Sequence, residues 1–455
     1  MDKRAQLLGK TNVKKALIEL SIPATFAMIV TALYNLVDTI FVGRGAGDVA
    51  IGALSIANPV QMIVMAFGLM IGIGSASIFS RAYGRNDVLT MRKAVNTAIL
   101  LGIVLSVLIA FFGMLFLEEM LNLFGATPGN IDYARDYLFY ILIGLIPFSL
   151  SVIFNNLARA EGRAKVAMIS MIIGAGVNII LDPIFIFEWG LNLGVKGAAI
   201  ATVIAKTASL IYVISASTSK KSNLQIDIKK LYQVDFKMIG EISSIGISSF
   251  FRNALAAVLV ILINNLIRNY MPDNPEIYIS IFGIINRLIM FLLLPGFGLV
   301  QGLQPLVGYN FGAKLYDRLY DVTTYATRLV LIYMAFALVF TMIFSRILFS
   351  LFTKEQSEIL MTSGPIALRI VAIGFVFIAF QIILSSVYQA MGYPVRAFLV
   401  SMSRQVFLFI PLVFIFTHKY GVDGIYYTFV VSDVTAGLIS MFVFNKEMKK
   451  LKTMF

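Results

Sequence analysis

About twelve stretches of roughly 20 apolar residues follow one another along this chain, separated by short polar breaks, and no other feature limits the fold as much. A hydrocarbon core about 30 Å thick is crossed by about 20 residues of helix. Inside it every backbone amide and carbonyl must be bonded within the protein. The stretches lie near 16–42, 49–79, 91–117, 133–158, 164–187, 195–217, 237–268, 277–303, 319–349, 362–390, 396–417 and 424–444. They are too long and continuous for barrel strands, which run about ten residues and alternate in polarity. The expected fold is an all-α polytopic membrane protein of twelve transmembrane helices. A mean hydropathy of +0.87 agrees, and the longest polar connection, about Thr218 to Lys237, leaves no room for a soluble nucleotide-binding domain. The basic start and the hydrophobic run from Ala16 to Val42 lack a signal-cleavage pattern, so that helix is expected to stay in the mature protein.

The formal net charge of +13 would suggest a nucleic-acid partner if it were spread evenly, but it is one-sided. With the N-terminus inside, 24 Lys and Arg residues fall in cytoplasmic segments, among them Lys14, Arg85, Arg163, Lys220, Lys221, Lys229, Lys230 and Lys450. Seven fall on the other face: Arg44, Arg135, Lys196, Arg268, Arg346, Lys354 and Lys419. This is the positive-inside bias. Both termini and the loop at 218–236 are expected in the cytoplasm, and the basic excess reads as a topology signal with weak affinity for lipid head groups, not as a nucleic-acid surface.

The chain also repeats itself at about half its length. Gly74 to Gly84 has the spacing of Gly302 to Gly312; Ala160-Glu161-Gly162-Arg163 recurs as Ala390-Met391-Gly392-Tyr393; Gly194-Val195-Lys196-Gly197 recurs as Gly421-Val422-Asp423-Gly424. Six spans per unit, an even number, relate the units by an axis along the membrane normal. The expected organisation is two pseudo-symmetric six-helix lobes, 1–217 and 237–455, joined by a cytoplasmic linker at 218–236. Such a pair permits alternating access by rocking, although a rigid channel could share the symmetry.

No cysteine and one histidine, His418, leave little for thiol or imidazole chemistry, and HExxH and Walker motifs are absent, so an enzyme is not expected and no cofactor is implied. Acids inside a bilayer cost about 2.5–3.5 kcal/mol on insertion scales and are functional candidates by default. Asp38, Asp182 and Asp433 qualify. Asp38 has Asn35 one turn before it and Thr39 beside it; Asp182 has Asn178 four residues earlier on the same helical face. Pro183 frees the carbonyl of Ile179. Carboxylate, carboxamide and carbonyl together suit a hard cation, sodium or a proton, and the second half has no acid opposite Asp38 or Asp182. The competing reading is that neighbouring amides and hydroxyls satisfy both acids and the cluster serves helix association. Asp433 is expected to be satisfied by Ser432 or Thr435. Lys206 and Arg287 are the deepest basic candidates, able to line a cleft or pair with an acid, while other arginines near helix ends can snorkel. Pro23 frees the carbonyl of Glu19 and can bend the helix that carries Asp38. The 37 Phe, 19 Tyr and 21 Met suit a pliable apolar substrate pocket.

Taken together, Asp38 in NLVDTIFVG, Ala57-Asn58-Pro59, the Arg81 to Gly84 step, NIILDP around Asn178 and Asp182, and the Ala160 to Lys165 loop resemble the multidrug and toxic compound extrusion (MATE) family over the whole chain. The pattern is similar to its DinF-type branch, whose coupling acids lie on helices one and five. That resemblance assigns cation coupling to Asp38, Asn178 and Asp182 with Thr202 as hydroxyl partner, and makes these residues the site of a possible Na+. Where the norM-like branch has acids on helices seven and eight, this chain has Asn264 and Arg287. The resemblance implies a monomeric secondary exporter in the plasma membrane of a prokaryote, exchanging organic, often cationic, amphipathic compounds for H+ or Na+. The alternative within the same superfamily is a flippase for a lipid-linked head group.

Overall fold

The computed structural model describes residues 3–124, 126, 128–219, 222–226, 235–271, 275–352 and 358–453, the side chains at 48–53 and 55 excepted. Lys220, Lys221, Lys229, Lys230 and Lys354, and with them much of the expected linker, lie outside the described residues. Among the described residues ten helices are long and apolar enough to cross a bilayer, and two bent helix pairs each supply one more span. Spans one to three are Val13–Ala46, Asp48–Gly84 and Val88–Leu115. Span four is Ile131–Ile143 with Leu145–Ala160; spans five and six are Ala164–Ile186 and Gly194–Ser217. Spans seven to nine are Phe236–Tyr270, Pro275–Gly312 and Tyr316–Ser350. Span ten is Glu358–Ala372 with Phe375–Met391, and spans eleven and twelve are Pro394–Tyr420 and Asp423–Lys452. Every expected stretch has its helix.

Twelve crossings return the chain to the face where it began, here termed the terminal face. Spans one, three and seven start there under side-chain caps: Asn12, Asp87 and Asp235 each accept a backbone N–H, from Lys14, Thr90 and Met238, at 3.0 Å, satisfying donors that an open helix end would strand. The repeated Ala160–Arg163 and Ala390–Tyr393 motifs close span four and span ten. Their glycines, Gly162 and Gly392, stand at φ 83° and 79°, left-handed conformations that a side chain disfavours, which explains why this residue recurs.

Two of the twelve spans are bent, at the same position of each half. Span four bends by 55° and span ten by 46°. In span four the cause is Pro147, which lacks an amide proton and crowds the carbonyl four residues back, at Ile143, where the first segment ends. Span ten has no proline at its break, which falls beside Gly374. Span eleven stays continuous but contains a π-helical turn over Ser403–Phe409.

The two halves meet at the terminal face, where small residues bring backbones into contact. A Cβ on Gly84 would stand 2.1 Å from the carbonyl oxygen of Tyr309, and one on Gly312 would stand 2.0 Å from that of Arg81. Span two and span eight thus cross with no side chain between them. Hydrogen bonds between the halves gather at the same end: Ser77 Oγ donates to the Gln389 carbonyl at 2.5 Å and Arg81 to Glu241 at 3.0 Å. Behind this contact lies a small cavity with Ser80, Asn156, Gln301, Gln304 and Gln389 in its wall.

A short helix, Lys3–Gly9, straps this face. Arg4 donates to Glu161, while the Leu8 carbonyl accepts from Asn310 at 3.1 Å and Arg318 at 3.0 Å. Glu161 is fully buried and also accepts from Ser222 Oγ at 2.9 Å and the Asn223 amide at 2.6 Å. Burial pushes its carboxyl above the ordinary range, against the pull of Asn223, Arg4, Ser222 and Arg163.

Candidate functional site

Span five carries Asn178 and Asp182 one turn apart, both buried, at 1% and 0% exposure. Asn178 Nδ2 donates to Asp182 Oδ1 at 3.0 Å and reaches Thr202 Oγ1 on span six at 3.4 Å. Asp38, on span one, faces Asp182 within hydrogen-bonding reach. Two carboxylates are both acceptors, so that contact bonds only when a proton sits between them.

Three oxygens here, Asp38 Oδ1, Asn178 Oδ1 and Asp182 Oδ2, are buried and receive no hydrogen bond. Buried polar atoms are nearly always paired, so an unpaired trio marks a place prepared for something positive. A proton shared by the carboxylates satisfies the acids. A desolvated Na+ among these oxygens and Thr202 Oγ1 also fits, because the donors are all hard oxygens. Pro183 is embedded in span five directly after Asp182 and deprives the Ile179 carbonyl of its helical donor. The residues that sequence spacing put on separate stretches therefore converge, from spans one, five and six.

Lys206, one turn beyond Thr202, donates to the Tyr34 hydroxyl at 3.2 Å and lies 5.2 Å from the ring centroids of both Tyr34 and Phe148. Its charge acts on Asp38. Gln61 donates to the Tyr137 hydroxyl at 2.9 Å, a pair on spans two and four beside the acids, with Tyr137 buried and Gln61 partly so. Neither Tyr34 nor the Gln61–Tyr137 pair was identifiable beforehand, since an isolated tyrosine in an apolar helix has no distinguishing spacing.

The other candidates lie apart. Asn35 is exposed and does not join the cluster: three residues turn a helix by about 300°, leaving it about 60° off the line of Asp38. Arg287 is exposed on span eight, in the other half from the acids. Pro23 is buried within an unbroken span one, between Ser21 and Thr25. Those two residues meet span eight, Ser21 Oγ donating to the Leu299 carbonyl at 3.3 Å, with Gly302 and Gly298 pressed against them. Asp433 is satisfied by neither Ser432 nor Thr435. Ser432 Oγ donates to its own helix at Thr428, and Arg404 of span eleven pairs with Asp433 at 3.2 Å, a partner from another helix that local sequence does not reveal.

The MatE family model matches residues 23–184 and again 247–415. The chain is 27% identical to multidrug export protein MepA of Staphylococcus aureus over 453 residues, covering 97% of this chain and 96% of that one. Among solved structures it is 34% identical to the MATE multidrug transporter DinF-BH, at a TM-score of 0.87 with 96% of each chain covered. It superposes at a TM-score of 0.90, with 25% identity and 99% of each chain covered, on a multidrug resistance MATE family transporter in an outward-facing conformation. A helical fold of twelve spans and a family match to most of its length place this membrane protein in the MatE family.

Proposed function

We propose that the chain is a multidrug exporter of a prokaryotic plasma membrane that drives small amphipathic or cationic compounds outward by admitting H+ or Na+, by alternating access and as a monomer. The observation that carries this reading is the trio of unpaired buried oxygens around Asp38, Asn178 and Asp182, with no acid opposite Asp38 or Asp182 in the second half of the sequence. Family membership supports export over flipping of a lipid-linked head group, since the relatives described above are named as multidrug transporters.

The energetics are of the right size. Two carboxylates about 4 Å apart repel by roughly 4 kcal/mol at an effective dielectric of 20. Switching a two-state protein from 1:99 to 99:1 takes about 5.5 kcal/mol of differential binding. A cation that removes the repulsion in one arrangement and cannot reach the acids in the other supplies most of that. In this reading, the joining of the halves at the terminal face supports an arrangement closed on that side. Export measured in vesicles of purified protein under imposed proton or sodium gradients tests the reading; dye movement indifferent to both gradients would refute it.

Two further expectations belong here. The terminal face is assigned to the cytoplasm by the basic asymmetry; in this cysteine-free chain, a Ser222→Cys variant should resist an impermeant maleimide added to intact cells and react once the membrane is opened. Labelling in intact cells would invert the topology. Pro23 weakens span one where that helix touches span eight, and Pro23→Ala restores the missing amide. Export is expected to slow several-fold at near-normal expression, and an unchanged rate would remove any bending role for this residue.

A further inference from the structure

The small cavity behind the crossing of spans two and eight contains a charge that the coupling site does not use. Its wall is drawn from both halves, and the internal repeat relates one side to the other. The shift of 228 residues that carries Gly74 to Gly302 carries Ile73 to Gln301 and Ala76 to Gln304; the shift of 230 that carries Ala160 to Ala390 carries Arg159 to Gln389. All six residues line the cavity, which therefore straddles the axis that relates the halves. Parting the halves at this face opens it.

Among the described residues of that wall, Arg159 alone is charged. Its guanidinium has five N–H groups and keeps its proton. Among the described residues it makes one hydrogen bond, to Asn156 Oδ1 at 3.0 Å, and no ion pair. Glu161, two residues on, is held instead by Arg4, Ser222 and the Asn223 amide, and Glu241 by Arg81. Gln389, opposite, spends its amide on Ser248 and Ser249 Oγ at 2.5 and 2.9 Å. The carboxamides of Gln301 and Gln304 face the same space and make no hydrogen bond among the described residues. A charge shut away from bulk water without a counter-charge is costly. The cavity admits particles about the size of water and no organic group. A monatomic anion has that size, accepts charge-assisted bonds from a guanidinium, and cancels the charge as water does not.

We propose that Arg159, with the carboxamide N–H groups of Gln301 and Gln304, binds one chloride-sized anion between the halves, and that this ion stabilises the closed terminal face. The donors come from span four on one side and span eight on the other, so the full set exists only while the halves are joined. Parting them returns the guanidinium to bulk water, where it needs no ion. A ligand held by one arrangement alone shifts the balance toward that arrangement. The site is separate from the coupling acids and requires only that the halves can part.

The test compares the purified full-length protein in chloride and in gluconate at matched ionic strength, which separates occupancy from screening. The melting temperature should rise saturably by a few degrees with chloride and with bromide, and not with sulfate, which is too large for the cavity. Spin labels on cysteines at Leu89 and Val395, both exposed near the starts of spans three and eleven in this cysteine-free chain, report the separation of the halves. Chloride should lower the share of the long-distance population about threefold. Arg159→Gln should lose both responses. Arg396→Gln, which removes an exposed guanidinium of the same face, should keep both. If Arg159→Gln does not fold, Gln304→Leu is read in its place. A wild type indifferent to chloride, a sulfate response equal to that of chloride, or a chloride response retained in the site variant overturns the proposal. A rise in melting temperature without a change in the distances would overturn the closing role. No substrate or cation gradient enters these measurements, so they report on the anion site whatever the export result.

Discussion

Gradient-driven export should fall at least a hundredfold in Asp38→Asn and in Asp182→Asn, with both proteins still inserted and eluting as the wild type does. Asparagine keeps the shape, and an amide oxygen at position 182 can still accept the 3.0 Å bond from Asn178, so packing in the buried cluster is preserved. The negative charge is what disappears, and with it the reason for a cation to prefer one arrangement. A ligand that binds both arrangements equally shifts neither. The two possible ions separate in a companion variant. Thr202→Ala removes an oxygen that Na+ would use and a shared proton would not, so loss of sodium-driven export with proton-driven export retained would identify sodium. Full export by either acid variant, in vesicles with a defined gradient, would remove that acid from the coupling site.

The second large effect is expected at the crossing of spans two and eight. Gly84→Val and Gly312→Val each drive a side chain into a carbonyl oxygen about 2 Å away, at Tyr309 and Arg81. Ordinary overpacking costs about 1–3 kcal/mol because side chains shift; here the obstacle is backbone, and the relief available is to part the helices. Both variants should fail to close the terminal face and should lose export. A reporter cysteine at Ser80, in the wall of the cavity behind the contact, should react with maleimide about tenfold faster than in the parent. Gly240→Val is the control, because a Cβ there meets nothing within 4 Å. Unchanged labelling in Gly84→Val and Gly312→Val would mean that the crossing does not seal this face.

Hydropathy alone was enough to place the spans, because a helix in lipid has to be apolar over its whole length and that requirement survives averaging over 20 residues. The same averaging hid the breaks in spans four and ten. Pro147 was present to be read, but it lies within an unbroken apolar run, and Gly374 has meaning only against Asp433 from another helix. For the acid cluster, the i to i+4 spacing of Asn178 and Asp182 was legible because both are on one helix. Its contact with Asp38 was not, since no local pattern says which faces of spans one and five meet; Thr202 was reached through family resemblance and not by spacing. Glu161, in a short loop beside Arg163, has no local pattern that marks it as buried. Only the folded chain shows it buried beneath the N-terminal helix and residues 222–223, a location fixed by contacts 61 to 157 residues away in sequence.

The strap across the terminal face also orders the assembly of the protein in time. The helix Lys3–Gly9 is synthesised well before its partners, since the Leu8 carbonyl is bonded by Asn310 and Arg318, more than 300 residues later. Its final seat does not exist until span eight and the beginning of span nine have been made and inserted. Until then the Leu8 carbonyl lacks its partners, and the first half waits with its strap incompletely docked. The docking of this helix marks the moment at which the second half has come into register with the first.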